Sequence, residues 1–344
     1  MAPAAQETVH DPYPLYNTTF TLHRVSSLYT GVNHPLNNAA LQQHAKRFRD
    51  ILAGDVLRGV RIGLGSEDEA LARVGALQSV TWQVLAGEDL WDVDEESRMD
   101  SSMDHGAGNG NGNGILVQIS YEKMAYRALL LRKDREKGQD EIDGQKESFQ
   151  HFPLLLTRMP APLRETFADF LTTTFDARVA VLHLSSPYLT TAFEKYISDC
   201  CIDEDGEALD PIQLSSVLRK IVKDVQVLIG FDLPTTSLQT MEFHIAQEDI
   251  PRLVQRGKKV GDGESPFMNA LESFVRAHLA LDIKHVKVRI LRIACGAFVL
   301  GAEGRVKLTE PGVDAVQMRS TWNLVDGLVG IANGGKISIG NVGT

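Results

Sequence analysis

Lys284, Lys287, Arg289 and Arg292 crowd the stretch IKHVKVRILRI at 283–293, in a chain whose formal net charge is −10. Cations packed this closely suit a polyanion, because each can neutralise one phosphate with an affinity that falls as salt rises. Read with period two, Val286, Val288 and Ile290 fall on one strand face, and His285, Lys287 and Arg289 on the other. The same period puts Lys284 and Arg292 on the face opposite Lys287 and Arg289, so all four cannot line one surface. His285 adds charge only when protonated. A solvated outer face that resists edge aggregation would explain the same residues. Arg219, Lys220 and Lys223 form a second basic group at the end of a helix over 211–223, where cations also suit the helix dipole. Lys46, Arg47 and Arg49 lie on the polar face of an earlier helix, and no aromatic platform interleaves any of these groups. DNA contact would therefore be phosphate-directed and indifferent to base sequence.

Catalytic spacings are missing. Gly63-Leu64-Gly65-Ser66-Glu67-Asp68 has Asp68 where a dinucleotide loop needs its third glycine, so it reads as a turn. Gly257-Lys258-Lys259-Val260-Gly261-Asp262-Gly263 lacks the Gly-Lys-Ser/Thr ending of a P-loop and reads as a flexible basic loop. Nucleophile-elbow, H-E-x-x-H and C-x-x-C patterns do not occur. Cys200, Cys201 and Cys295 make neither a disulfide framework nor a zinc site. His44 and His278 read as core or rim histidines. No enzyme, cofactor or metal is expected.

Composition agrees with a soluble globular chain: 344 residues, 43% hydrophobic and 23% charged. No apolar run approaches the ~20 residues of a membrane span, and the first residues lack the pattern of a signal peptide. An intracellular, reducing compartment is the expectation. Charge is unevenly spread. Residues 86–150 carry 8 Lys and Arg against 15 Asp and Glu, whereas residues 211–310 carry 14 against 11, a local +3. Local patches govern what docks where, so an acidic total does not exclude a polyanion.

The elements that must position these residues follow from periodicity. Residues 1–12 read as a disordered tail. A strand spans roughly Tyr16 to Val25, with Phe20 and Leu22 inward and Thr19, Thr21 and His23 outward. A helix from Asn38 to Ala53 repeats Leu41, Ala45, Phe48 and Leu52 and stops at Gly54. Strands follow at Val60–Leu64 and around Trp82. Segments 92–114 and 132–148 are polar insertions, flanking paired strands ILVQISY and YRALLLR. Leu163, Phe167, Phe170 and Leu171 mark a helix, and Val179, Val181 and His183 a strand. Pro187 opens another helix, and Asp210-Pro211 caps the next. Strands at Val225–Phe231 and Met241–Ile245 precede a helix with Phe267, Leu271, Phe274, His278 and Leu281 on one stripe. After the basic strand come Ala297–Leu300 and Arg305–Leu308, joined by Ala302-Glu303-Gly304, and a helix from Trp322 to Asn333. The expected fold class is α+β: mostly antiparallel sheets with helices on one face, in two sub-domains, 13–232 and 233–344.

The ordered blocks resemble the centromere protein L family and its fungal members. The residues that carry the likeness are FTLHRVSSLYTG with LQQHAKRFRDIL, then FPLLLTRMPAPLRETFADFLTTTFDARVAVLHL. MEFHIAQEDIPRLVQRG follows, with the strand through Arg289-Ile290-Leu291-Arg292-Ile293. The resemblance implies a non-enzymatic inner-kinetochore subunit, part of the constitutive centromere-associated network in the nucleus. It implies pairing with a centromere protein N homologue through the C-terminal sheet, possible self-association, and a share in a positively charged passage for centromeric DNA. Carried onto this chain, the candidate edge strands for the partner are Arg305, Val306, Lys307 and Leu308, and Lys336, Ile337, Ser338 and Ile339. Strand addition suits such a grip. Lys287 and Arg289, with Lys284, Arg292, Arg219, Lys220 and Lys223, would face phosphates. The competing reading is a homodimeric, sequence-nonspecific DNA-binding protein outside the kinetochore.

Overall fold

Two apolar repeats alternate along the chain, one of period two and one of period 3.6, and they set the order of strands and helices. The computed structural model describes residues 12–31, 36–57, 74–88, 113–133, 148–203, 206–232, 238–260, 265–312 and 314–335. In chain order the elements are β1 (Thr19–Val25), β2 (Leu28–Tyr29), α1 (Asn38–Leu57), β3 (Leu77–Leu85), β4 (Gly114–Tyr121), β5 (Ala125–Leu131) and β6 (Phe149–Gln150). Next come β7 (Leu154–Arg158), α2 (Ala161–Phe175), β8 (Val179–Val181), α3 (Ser186–Asp199), α4 (Pro211–Ile221), β9 (Val225–Phe231) and β10 (Thr240–Ile245). The last third holds α5 (Ile250–Val260), α6 (Pro266–Leu279), β11 (Val288–Ala294), β12 (Phe298–Gly301), β13 (Arg305–Leu308) and α7 (Ala315–Ala332). The strand pairings are antiparallel and the class is α+β.

The chain divides into two units. The first comprises residues 1–18, 27–152 and 159–177. Its β3, β4 and β5 form an antiparallel meander, and β2 pairs with β6. Leu41, Ala45 and Phe48, one stripe of α1, are buried. The core is aromatic: Phe48 lies 5.4 Å from Phe167 and 4.9 Å from Phe170, with Trp82 5.8 Å from Phe170. Such tilted and edge-on pairs add ~0.5–1.5 kcal/mol each beyond burial. His44 sits 4.8 Å from Phe175 at the rim of this cluster, and its pKa is lowered by burial and by the Arg47 charge.

The second unit comprises residues 19–26, 153–158 and 178–344. Its strands follow the order β10-β9-β11-β12-β13-β1-β7, with β8 also paired to β1. Helices cover one face. Phe193 and Tyr196 of α3 pack 6.2 and 5.0 Å from Phe298 of β12. Ile290, Ile293, Leu300, Val306 and Leu308 point to the same side and are buried. Asp210 caps α4 as expected, accepting from the Ile212 and Gln213 amides, and Asp314 caps α7 by accepting from the Gln317 amide. Arg24 of β1 donates to the last carbonyls of α7, Ile331 and Ala332, at 3.3 and 3.0 Å, the end where a cation also suits the dipole.

Several expectations are corrected. The boundary near residue 232 falls between β9 and β10, which are paired strands of one unit. The second unit instead takes β1 and β7 from the N-terminal half. His23 is buried, since β7 and β8 flank it on both sides. In the strand near 180 the buried residues are Leu182 and Leu184, whereas Val181 is exposed. Helix α1 runs through Gly54 to Leu57. Residues 257–260 belong to α5, not to a loop. Gly257 is required there, because a Cβ would sit 1.7 Å from the Pro266 carbonyl oxygen. On α6 the buried stripe is Phe267, Met268, Leu271 and Val275, while Phe274 and His278 stack on its exposed face, centroids 4.2 Å apart. Helix α7 starts seven residues earlier than expected, at Ala315. The strand expected at Val60–Leu64, the Gly63–Asp68 turn, the N-terminal tail and most of both polar insertions lie outside the described residues.

Candidate interaction surface

The basic stretch is not one strand. Lys284 to Lys287 form a turn, and β11 begins at Val288. Val286 therefore does not face the core; it is 87% exposed. Within β11 the pairing with β9 shifts at Leu291: Ile290 faces Ile229, and Arg292, not Leu291, faces Leu228. This β-bulge adds one residue and reverses the alternation beyond it. Ile290 and Ile293 are both buried as a result, and Arg289 and Arg292 both stand on the outer face. The bulge has a fixed partner, since Ser186 Oγ at the start of α3 accepts from Ile290 N at 2.5 Å.

Two further cations join that face. Arg305 and Lys307 of β13 are exposed, alternating with the buried Val306 and Leu308. Arg292 and Arg305 each face Gly301 of β12 from opposite sides, so a row runs Arg292, Gly301, Arg305 across the sheet. At ~4.8 Å per strand the two cations' backbones are about 10 Å apart. The face also holds acids. Arg289 pairs with Asp232 at 3.0 Å and Arg292 with Glu242 at 2.7 Å, while the Glu303 side chain lies over Gly301. Such exposed pairs are worth ~0–1 kcal/mol, so exchanging a carboxylate for a phosphate costs little. Among the described residues Arg305 and Lys307 have no carboxylate partner.

The remaining cations lie elsewhere. Lys284 is held by Glu272 of α6 at 2.7 Å. Lys287, last residue of the turn, has no ion pair among the described residues. Lys220 pairs with Asp314 at 2.9 Å and, with Arg219, lines a groove between α4 and α5. Lys223 adopts a left-handed backbone (φ 50°) and lays its aliphatic stem over Gly296. The sequence grouped these with the strand cations; the fold does not.

Nor does β13 offer an open edge. It pairs with β12 on one side and β1 on the other. At one end of this unit's strand order β10 instead has β9 alone beside it among the described residues; the short β8 likewise pairs with β1 alone. Lys336–Ile339 lie outside the described residues.

The buried titratable groups are structural in placement. Burial pushes the Cys200 thiol up to about 12 and Cys295 up to about 11, and raises Cys201, which keeps all three protonated at neutral pH. Glu194, buried in α3, accepts from the Met268 amide at 2.6 Å and so caps the start of α6; burial raises its pKa to about 7 against the pull of the Met268 and Phe267 amides. Among the described residues no three His, Cys, Asp or Glu converge as a metal site, and no helix is long and apolar enough to cross a membrane.

The second unit is thus a helix-backed antiparallel sheet with a charged solvent face and, among the described residues, β10 paired on one side only. The chain belongs to the centromere protein L family, whose profile matches residues 14–333 of 344. This is a structural family of the kinetochore, not known for enzymes, and membership implies kinetochore-complex partners and a place at the nuclear centromere. A comparison with curated proteins gave no match.

Proposed function

We propose that the chain is an inner-kinetochore subunit that pairs with a centromere protein N homologue through its second unit's sheet and turns a basic face to centromeric DNA. In this way it supports kinetochore assembly and chromosome segregation. The observation that carries the reading is the convergence of Arg289, Arg292, Arg305 and Lys307 on the solvent face of one sheet, with Lys287 beside them at the strand entry. Recognition is by charge: phosphates replace the weak carboxylate partners of Arg289 and Arg292, and no side chain reads a base. Strand addition at β10 is the favoured grip for the partner, because backbone donors and acceptors there can extend the sheet.

Co-expression with a centromere protein N homologue, followed by size-exclusion chromatography at low and high salt, tests this. The expected result is an equimolar complex that survives high salt while co-eluting DNA is lost. A homodimer that ignores the partner contradicts the pairing and favours a self-associating DNA-binding protein.

A further inference from the structure

Between α4 and α5 runs a groove of about 750 Å³. Helix α4 buries Leu214, Leu218 and Ile221 and turns Ile212, Ser215, Ser216 and Arg219 toward the groove, at i, i+3, i+4 and i+7. The two serines leave a trough in the middle. Arg219 has no ion pair among the described residues. Arg252 of α5 has an 80% exposed side chain whose one ion pair among the described residues is with Asp249, at 3.5 Å. Asp224 Oδ1 accepts from Gln247 N at 3.0 Å, which fixes the approach to α5 beside the end of α4. Arg219, Lys220 and Arg252 therefore gather at one end. Ile212, 83% exposed, stands at the other. Seven residues of helix separate Ile212 from Arg219, about 10 Å, which an extended peptide covers in about three residues.

We propose that this groove docks an extended acidic segment of a partner protein, carboxylates on Arg219 and Arg252 and a large apolar side chain about three residues away against Ile212. Charge complementarity and the exposed isoleucine together select that occupant. A DNA duplex offers phosphates but nothing apolar for Ile212, and it is a convex rod too wide for a trough between adjacent helices. The site is independent of the phosphate-facing sheet, so either can fail alone.

Fluorescence anisotropy with a fluorescein-labelled peptide, Gly-Ser-Asp-Asp-Gly-Ser-Leu-Gly-Ser, tests the proposal on the full chain. Binding should weaken at least about tenfold when Arg219→Glu and Arg252→Glu are combined, and about fivefold in Ile212→Ser or when the peptide's Leu becomes Ser. Unchanged circular dichroism and melting keep the reading on the groove; Lys220 is left intact because it holds Asp314. Absent peptide binding, or binding indifferent to both Ile212 and the peptide's Leu, overturns the proposal. So does a double reversal that weakens a duplex DNA probe and leaves the peptide unaffected.

Discussion

Arg289 and Arg292, three residues apart on one strand, stand on the same face of the sheet, because Leu291 is inserted between the pairs Ile290–Ile229 and Arg292–Leu228. In a regular strand residues at that spacing point to opposite sides. One extra residue thus brings two cations to one surface and keeps both Ile290 and Ile293 in the core.

The bulge depends on Ser186, whose hydroxyl receives the Ile290 amide. Ser186→Ala should leave that amide unsatisfied and cost about 1–2 kcal/mol in urea unfolding. Amide exchange should rise at Ile290 and its neighbours more than in β12. Uniform exchange across the sheet would detach Ser186 from the bulge.

Arg289→Ala removes an exposed pair with Asp232. Unfolding free energy should change by less than about 1 kcal/mol, while affinity for duplex DNA at low salt falls several-fold. A large stability loss with unchanged DNA affinity would make the residue structural.

Glu194 gives the fold a pH dependence whose sign follows from its shift. Its carboxyl titrates near 4.5 unfolded and near 7 in the fold, so the native state holds the extra proton between those values. Its contribution to stability is largest at low pH and falls as pH rises through about 7. Glu194→Gln keeps an acceptor for the Met268 amide without the charge. The variant should gain on the parent chain between pH 5 and pH 8, by about 2 kcal/mol from the size of such a shift. Parallel pH–stability curves would refute the assignment.

Gly257→Ala drives a methyl into the Pro266 carbonyl at the α5–α6 contact. Despite alanine's better helix propensity, melting should drop by an amount equivalent to at least about 2 kcal/mol. A stabilised variant would mean that the two helices part easily.

Much of this fold is written locally in the sequence. The stripe Leu41–Ala45–Phe48, the Asp210-Pro211 cap and the Ala302-Glu303-Gly304 turn each rest on a few adjacent residues, and each appears where those residues imply. Gly304 has φ 82°, and a Cβ there would meet the Leu182 carbonyl at 2.2 Å. What local patterns do not carry is strand order. β13 is interior because β1, nearly three hundred residues earlier in the chain, lies against it. The bulge was hidden because Ile290, Leu291 and Ile293 are all apolar and fit more than one phase. Helix α5 was hidden by Gly257 and its two lysines, although Ile250, Val254 and Gly257 form a buried stripe at helical spacing. Arg219 and Arg252 stand 33 residues apart in the sequence, and only the packing of α5 beside α4 brings them to one groove.

The basic face is tested most directly through Arg305 and Lys307, which no described carboxylate holds. Anisotropy of a labelled duplex across a salt series should compare the parent chain with Arg305→Glu combined with Lys307→Glu. The account predicts at least about tenfold weaker binding at low salt and a log–log salt slope shallower by about 2, with melting unchanged. Equal affinity and equal slope in the two proteins would contradict it.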